Sequence, residues 1–261
     1  MEPFLVITLL IILGFLSGII STIAGIGGGV FFVSIMTLLF LIPIDIAVDT
    51  SIFVILFSSL SGFITYLKQN RTSIKLSLTF GAFSILGSVI TTIIFFFIPI
   101  DNYVLRILFA ITLLIAGINM IYKIMRARET GKIDINFSIN DHNYKPNFKK
   151  SIPLFLLAGL TTNLLGIGGG IVNTPTLNIL LHFPIHNATA ISTSIIFFTA
   201  IYNVIIKSII GQINYLVGLF LAIGSIFGAF LGAKISHKMP KIYLQVFVAI
   251  VLIILAINMF F

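Results

Sequence analysis

Residues 22–31 read TIAGIGGGVF, and four glycines in five positions (Gly25, Gly27, Gly28 and Gly29) break the first long apolar stretch of the chain. Each glycine inside a helix costs about 1 kcal/mol relative to alanine, so such a run ends a helix. The same five residues return as Gly166-Ile167-Gly168-Gly169-Gly170 within TNLLGIGGGIVNTPTL (162–177), again in apolar sequence. Two broken helices at matched places imply a chain made of two related halves.

The composition sets the surroundings of those breaks. The chain is 59% hydrophobic and 8% charged over 261 residues. About a quarter of a soluble domain is charged. The 15 Lys+Arg and 7 Asp+Glu cannot cover a water-facing surface of this size. Several apolar runs approach the ~20 residues that cross a bilayer as a helix. They are continuous rather than alternating, which disfavours a β-barrel. The expected class is therefore an all-α polytopic membrane protein of the cell membrane. The start, Met1-Glu2-Pro3, lacks the positive region of a cleaved signal, so the first helix is expected to stay. With no cysteine there are no disulfides and no thiolate metal sites. The net charge of +8 lies mostly in loops, as the positive-inside rule expects, and does not indicate a nucleic-acid partner.

Apolar segments run over about 4–23, 30–42, 46–67, 75–98 and 103–125, then over 152–165, 171–182, 187–207, 213–235 and 241–261. A polar stretch at 126–151 separates them. The expected organisation is a first membrane repeat (1–125), a cytoplasmic linker (126–151) and a second repeat (152–261). Beyond GIGGG, Pro43-Ile44 matches Pro184-Ile185, Thr50-Ser51-Ile52 matches Thr193-Ser194-Ile195, and Gly87-Ser88 matches Gly224-Ser225.

Loop charge orients the halves. Lys68, Arg71 and Lys75 place one loop inside, Asp45 and Asp49 mark 43–49 as outside, and Lys234, Lys238 and Lys241 ask for an inside loop in the second half. Single crossings then put 182–186 inside while its counterpart, 43–45, is outside. The repeats are expected to have inverted topology, with both termini outside. Segment 152–165 is too short to span comfortably at 1.5 Å per residue, so each GIGGG is expected at the tip of a hairpin near the midplane. Unwound backbone at that depth belongs where it is buried in protein or lines a cavity. Transporters use such half-helix ends to hold an anion.

Polar residues cluster around the tips. Thr22, Thr162, Asn163, Asn173, Ser51 and Ser194 join the glycines as candidate substrate contacts. A buried membrane amide such as Asn163 or Asn173 needs a partner. Among ionisable residues, Asp49 and His186 are candidates for proton coupling, and Arg106 for a vestibule contact or for snorkelling to the outer interface beside Asp101. Lys207 is expected at an interface.

The duplicated GxGGG, the following Pro175, the short TS element and the basic central loop together resemble the TauE/SafE sulfite exporter family of membrane permeases. The resemblance spans essentially the whole chain and implies a transporter, linked in some members to sulfite or organosulfur anions. One departure is Ser34, which stands where the second half has Pro175. The expected function is a secondary transporter, an exporter, of a small anion by alternating access, with the bilayer as its surroundings. It would be driven by a proton or sodium gradient or by a partner, and it needs no cofactor or metal. Homo-oligomerisation is compatible with the sequence. Two other classes are an anion channel with the same constriction and an intramembrane enzyme; the latter lacks a nucleophile–base pair or metal cluster at depth.

Overall fold

The computed structural model describes residues 3–97, 101–127, 144–236 and 241–260. In chain order the helices are α1 (Pro3–Ala24), α2 (Gly29–Ser34), α3 (Ile44–Lys68), α4 (Ile74–Phe97), α5 (Asn102–Ala127), α6 (Lys145–Leu165), α7 (Gly170–Pro175), α8 (Ile185–Ile210), α9 (Tyr215–Ile235) and α10 (Lys241–Phe260). α2 and α7 each continue into one π-helical turn, Ile35–Leu39 and Thr176–Leu180. There is no strand among the described residues. Five helices (α1, α3, α4, α8 and α9) are long and apolar enough to cross a membrane. The protein is an all-α polytopic membrane protein. Residues 128–143 of the expected linker and Lys238 lie outside the described residues.

Local sequence sets the breaks at equivalent places. After each π turn the chain reverses at a residue with left-handed backbone, Leu41 (φ 51°) or His182 (φ 57°). Pro43 and Pro184 follow, and their carbonyls accept the first helical bonds of α3 and α8, from Ala47 (2.9 Å) and Ala188 (2.8 Å). Ser73 caps α4 by accepting from the Leu76 amide, and Asn214 caps α9 by accepting from the Val217 amide, both at 3.2 Å.

These pairs share one spacing, 141 residues (25 and 166, 41 and 182, 76 and 217). Packing keeps it too. Gly87 lies against the Leu156 carbonyl and Gly228 against that of Phe15; Gly159 lies against the Ser84 carbonyl and Gly18 against that of Ser225. The small residues let α1 approach α9, and α6 approach α4, backbone to backbone. This register corrects two sequence matches. Gly87 corresponds to Gly228 rather than Gly224, one helical turn away, and Ser51 to Ser192 rather than Ser194.

One helix boundary is also corrected. α6 begins at Lys145 and has 21 residues, so it is longer than the short segment 152–165 expected. Pro146 sits in its first turn, where a missing N–H is harmless. The polar start is anchored by Phe148 packing on Phe80, with ring centroids 5.9 Å apart, and by Asn147 Nδ2 donating to the Leu180 carbonyl (3.0 Å).

α3 and α8 form the buried centre and run antiparallel. Asp49, early in α3, meets Lys207, late in α8, and Arg71, just past α3, meets His186 at the start of α8. The outer helices present apolar side chains such as Leu16, Leu86, Ile93 and Phe227 outward.

Candidate functional site

Both GIGGG segments are unwound tips, and they meet. Gly25, Gly27 and Gly28 have φ of 69°, 96° and 77°; Gly166, Gly168 and Gly169 have 64°, 92° and 71°. Side chains rarely adopt that region, which is why glycine is used here. A Cβ on Gly168 would stand 3.3 Å from the Gly27 Cα. Gly29 lies against the Gly166 carbonyl and Gly170 against the Gly25 carbonyl, both too close for any side chain. The crossing sits at mid-length of the central helices, with Ile55 of α3 beside Gly29 and Ile196 of α8 beside Gly27.

Hydroxyls from the central helices fix each tip to the opposite half. The Ser51 hydroxyl shares its one proton between the Gly166 carbonyl (2.8 Å) and the Val48 carbonyl of its own helix (2.7 Å), and Ser192 Oγ donates to the Gly25 carbonyl (2.9 Å). Thr174 Oγ1 also donates to the Gly25 carbonyl, at 2.8 Å. Ile26 and Gly166 donate their amides within their own tips, to Ser21 and Thr162. The amides of Gly27, Gly28, Gly168 and Gly169 reach no backbone acceptor among the described residues. In this conformation the opposite backbone occupies the faces of Gly29 and Gly170.

The other residues read from the sequence are distributed around this crossing. The Thr22 carbonyl accepts from Tyr66 Oη (2.9 Å), and Thr162 Oγ1 donates to the Ala158 carbonyl of its own helix (2.7 Å). Asn163 Nδ2 donates to the Ser88 carbonyl (2.8 Å) and to Thr92 Oγ1 (2.7 Å), while its Oδ1 is buried without a partner. Asn173 is fully buried, and neither atom of its amide has a partner. Ser194 is not at a tip: it donates to Thr72 Oγ1 and to the Ala190 carbonyl, both at 2.9 Å. Arg106 is half-buried on α5 and forms no ion pair with Asp101; its Nε has no partner.

The two ends of the central pair differ chemically. At one end, Asp49 Oδ1 and Lys207 Nζ form an ion pair at 2.7 Å, with side chains only 10% and 12% exposed. Lys207, in the last turn of α8, is thus largely buried against Asp49. A cavity of about 400 Å³ opens beside the pair, lined also by Asp45, Thr92, Phe95 and Asn163. At the other end, fully buried Tyr66 occupies the position equivalent to Lys207. Arg71 stacks over its ring (4.8 Å) and donates to Ser236 Oγ and to the His186 carbonyl, both at 2.6 Å. Burial lowers the Arg71 pKa, and the Tyr66 phenol beside it acts in the opposite direction. A larger space, about 550 Å³, is an apolar groove between α1 and α9 lined by residues such as Ile11, Phe15 and Phe227. It offers an anion nothing to bind and suits lipid.

The sequence does not single out Tyr66, nor Lys207 as a partner of Asp49. A signal for Lys207 was present, because the loop charges already put the 43–49 loop and the end of α8 on one side.

Comparison with known proteins finds membrane transporters. The chain is 28% identical over 237 residues to the probable membrane transporter protein YdhB of Bacillus subtilis, covering 91% of this chain and 93% of the relative. It is 31% identical over 265 residues to the probable membrane transporter protein MJ0441 of Methanocaldococcus jannaschii, covering 96% and 94%. No solved structure matches the chain. Residues 10–259 match the family described as Sulfite exporter TauE/SafE, and with nearly its whole length inside that match the chain belongs to this family of membrane transporters.

Proposed function

We propose that the protein is a secondary transporter that exports a small anion, sulfite or an organosulfonate, by alternating access between two inverted repeats. The observation that carries the reading is the crossing of two broken helices at mid-length of α3 and α8, with unpaired amides at Gly27, Gly28, Gly168 and Gly169. Free amides with left-handed glycines are suited to an anion. Asn163 and Asn173, buried with unpartnered amide atoms, orient the ligand there. The asymmetry of the ends supports alternation: a cavity reaches Asn163 from the Asp49 end, while Tyr66 and Arg71 close the other. In this reading the Asp49 end and both termini are outside, and the linker is cytoplasmic.

Counterflow in proteoliposomes tests the proposal. Vesicles loaded with unlabelled sulfite should transiently accumulate labelled sulfite, with saturation. Non-saturating flux without counterflow would point to the channel reading. Absence of flux for sulfite and for small sulfonates would remove the substrate class.

A further inference from the structure

We propose that Lys207 is an anion-binding cation held in reserve by Asp49. An entering anion takes the place of the Asp49 carboxylate on Lys207 while Asp49 takes up a proton. The proposal deepens the transport reading and rests on it for the anion's route.

The site is built. Lys207 Nζ contacts Asp49 Oδ1 at 2.7 Å and lies 5.3 Å from the centre of the Phe95 ring, so the ammonium keeps a second partner if the carboxylate leaves. Asp49 Oδ2 accepts from the Gln212 amide at 3.0 Å. The adjoining cavity, about 400 Å³, has room for a small oxyanion and water. Asn163 lines it, is only 1% exposed, and carries a buried Oδ1 without a partner. Phe95, Leu105 and Ile206 give the cavity an apolar wall suited to a short carbon tail. The ligand class is a small monovalent oxyanion: hydrogensulfite, a sulfonate or a carboxylate.

A buried ion pair gains little over its desolvation, so it is readily exchanged for an equivalent pair. A lone ammonium in this position is costly, and Lys207 therefore needs one anion, either Asp49 or a ligand. In the proposed step, the displaced Asp49 carboxylate takes up one proton as the anion arrives. The proton is drawn from solution and binds Oδ1, while Oδ2 keeps its bond from Gln212. Charge balances: a carboxylate and an ammonium become a carboxylic acid, an ammonium and a bound anion. The net charge of the cavity, which Asp45 also lines, is the same in both states, so one anion and one proton enter together.

The surroundings do not supply a competing partner. α4 and α6 face the pair with Thr92, Phe95 and Asn163, which do not titrate. The other ionisable groups at this end are Asp45 on α3, Asp101, Tyr103 and Arg106 at α5, and Tyr215 on α9. None forms an ion pair with Asp49 or Lys207 among the described residues. The repeat does not require the pair either, since the equivalent positions hold Ala190 and Tyr66.

The test uses methanesulfonate, which stays anionic across the working pH range, and the full chain in nanodiscs. Titration calorimetry in buffers of different ionisation heat counts protons taken up per anion bound. Wild type should take up close to one proton, with affinity falling about tenfold per pH unit on the alkaline side. Asp49→Asn removes the internal competitor, so it should bind at least as tightly, without proton uptake and without pH dependence. A clamp that merely stabilises the fold would give neither change. Lys207→Met should lose at least about tenfold in affinity. The double variant Asp49→Asn/Lys207→Met, with no charge left unpaired, should melt near wild type and still fail to bind. Proton uptake persisting in Asp49→Asn, normal binding by Lys207→Met, or no binding by wild type overturns the proposal. Sulfite counterflow separates the two readings. Counterflow unaffected by either single substitution sinks the Lys207 site and leaves transport standing. Proton-linked binding without counterflow in wild type does the reverse.

Discussion

Gly29 and Gly166 touch across the two halves of the chain: the Cα of one rests against the carbonyl of the other, and a methyl group at Gly29 would overlap that oxygen. The same holds for Gly170 against the Gly25 carbonyl. The tips therefore pack as backbone on backbone, and their glycines have a structural duty whatever they bind.

Alanine at Gly29 or Gly170 should destabilise the fold by about 1–3 kcal/mol or more, the usual cost of overpacking. Detergent melting temperature measures it. Gly14 is no neutral comparison, although its place early in α1 suggests one, because a Cβ there would strike the Leu221 carbonyl of α9. Gly81 is the proper control. Its nearest neighbour for a Cβ is Phe198 Cβ at 3.4 Å, and alanine is the better helix former. Gly81→Ala should melt at or slightly above the wild-type temperature.

The serine pair makes an uneven prediction. Ser51→Ala removes the side-chain donor to the Gly166 carbonyl, leaving a buried acceptor at a cost of about 1–3 kcal/mol. Ser192→Ala leaves the Gly25 carbonyl still bonded to Thr174, so about 0.5–1.5 kcal/mol is expected. Adding Thr174→Val to Ser192→Ala should bring its loss up to that of Ser51→Ala. Equal melting of the two single serine variants would count against this account of the tips.

Leu41 and His182 occupy matched reversals, with φ of 51° and 57°, and both are exposed. In the inverted arrangement we propose, they lie on opposite faces of the membrane. In this cysteine-free chain, an impermeant thiol reagent added outside cells should label Leu41→Cys and spare His182→Cys. Labelling both from one side would mean that the repeats are parallel.

Arg71→Gln should loosen the closed end. It removes charge-assisted bonds to Ser236 and to the His186 carbonyl, each worth about 1.5–3 kcal/mol. A cysteine at Thr65, 8% exposed in the structure, should then react faster with a thiol reagent. An unchanged rate would show that Tyr66 closes this end without help.

The sequence by itself determined the membrane class, the two halves and the places where their helices break, because glycine runs and a shortage of charge leave few alternatives. It also singled out Asn163 and Asn173, since an amide stands out in an apolar segment. Tertiary structure decided the rest. Matching Gly87 with Gly224 instead of Gly228 costs nothing in sequence likeness, because apolar helices repeat small residues every turn. Only the packing of Gly87 on Leu156 and Gly228 on Phe15 fixes the register. Ser194 looks as good a partner for a tip as Ser192 until helix rotation sends it to Thr72. Lys207 near the end of a helix resembles any interfacial lysine until antiparallel packing of α3 and α8 brings Asp49 to it. A one-dimensional pattern records how apolar each helix is; which polar side chain meets which is set by helix direction and rotation, and these are fixed only when the two halves pack together.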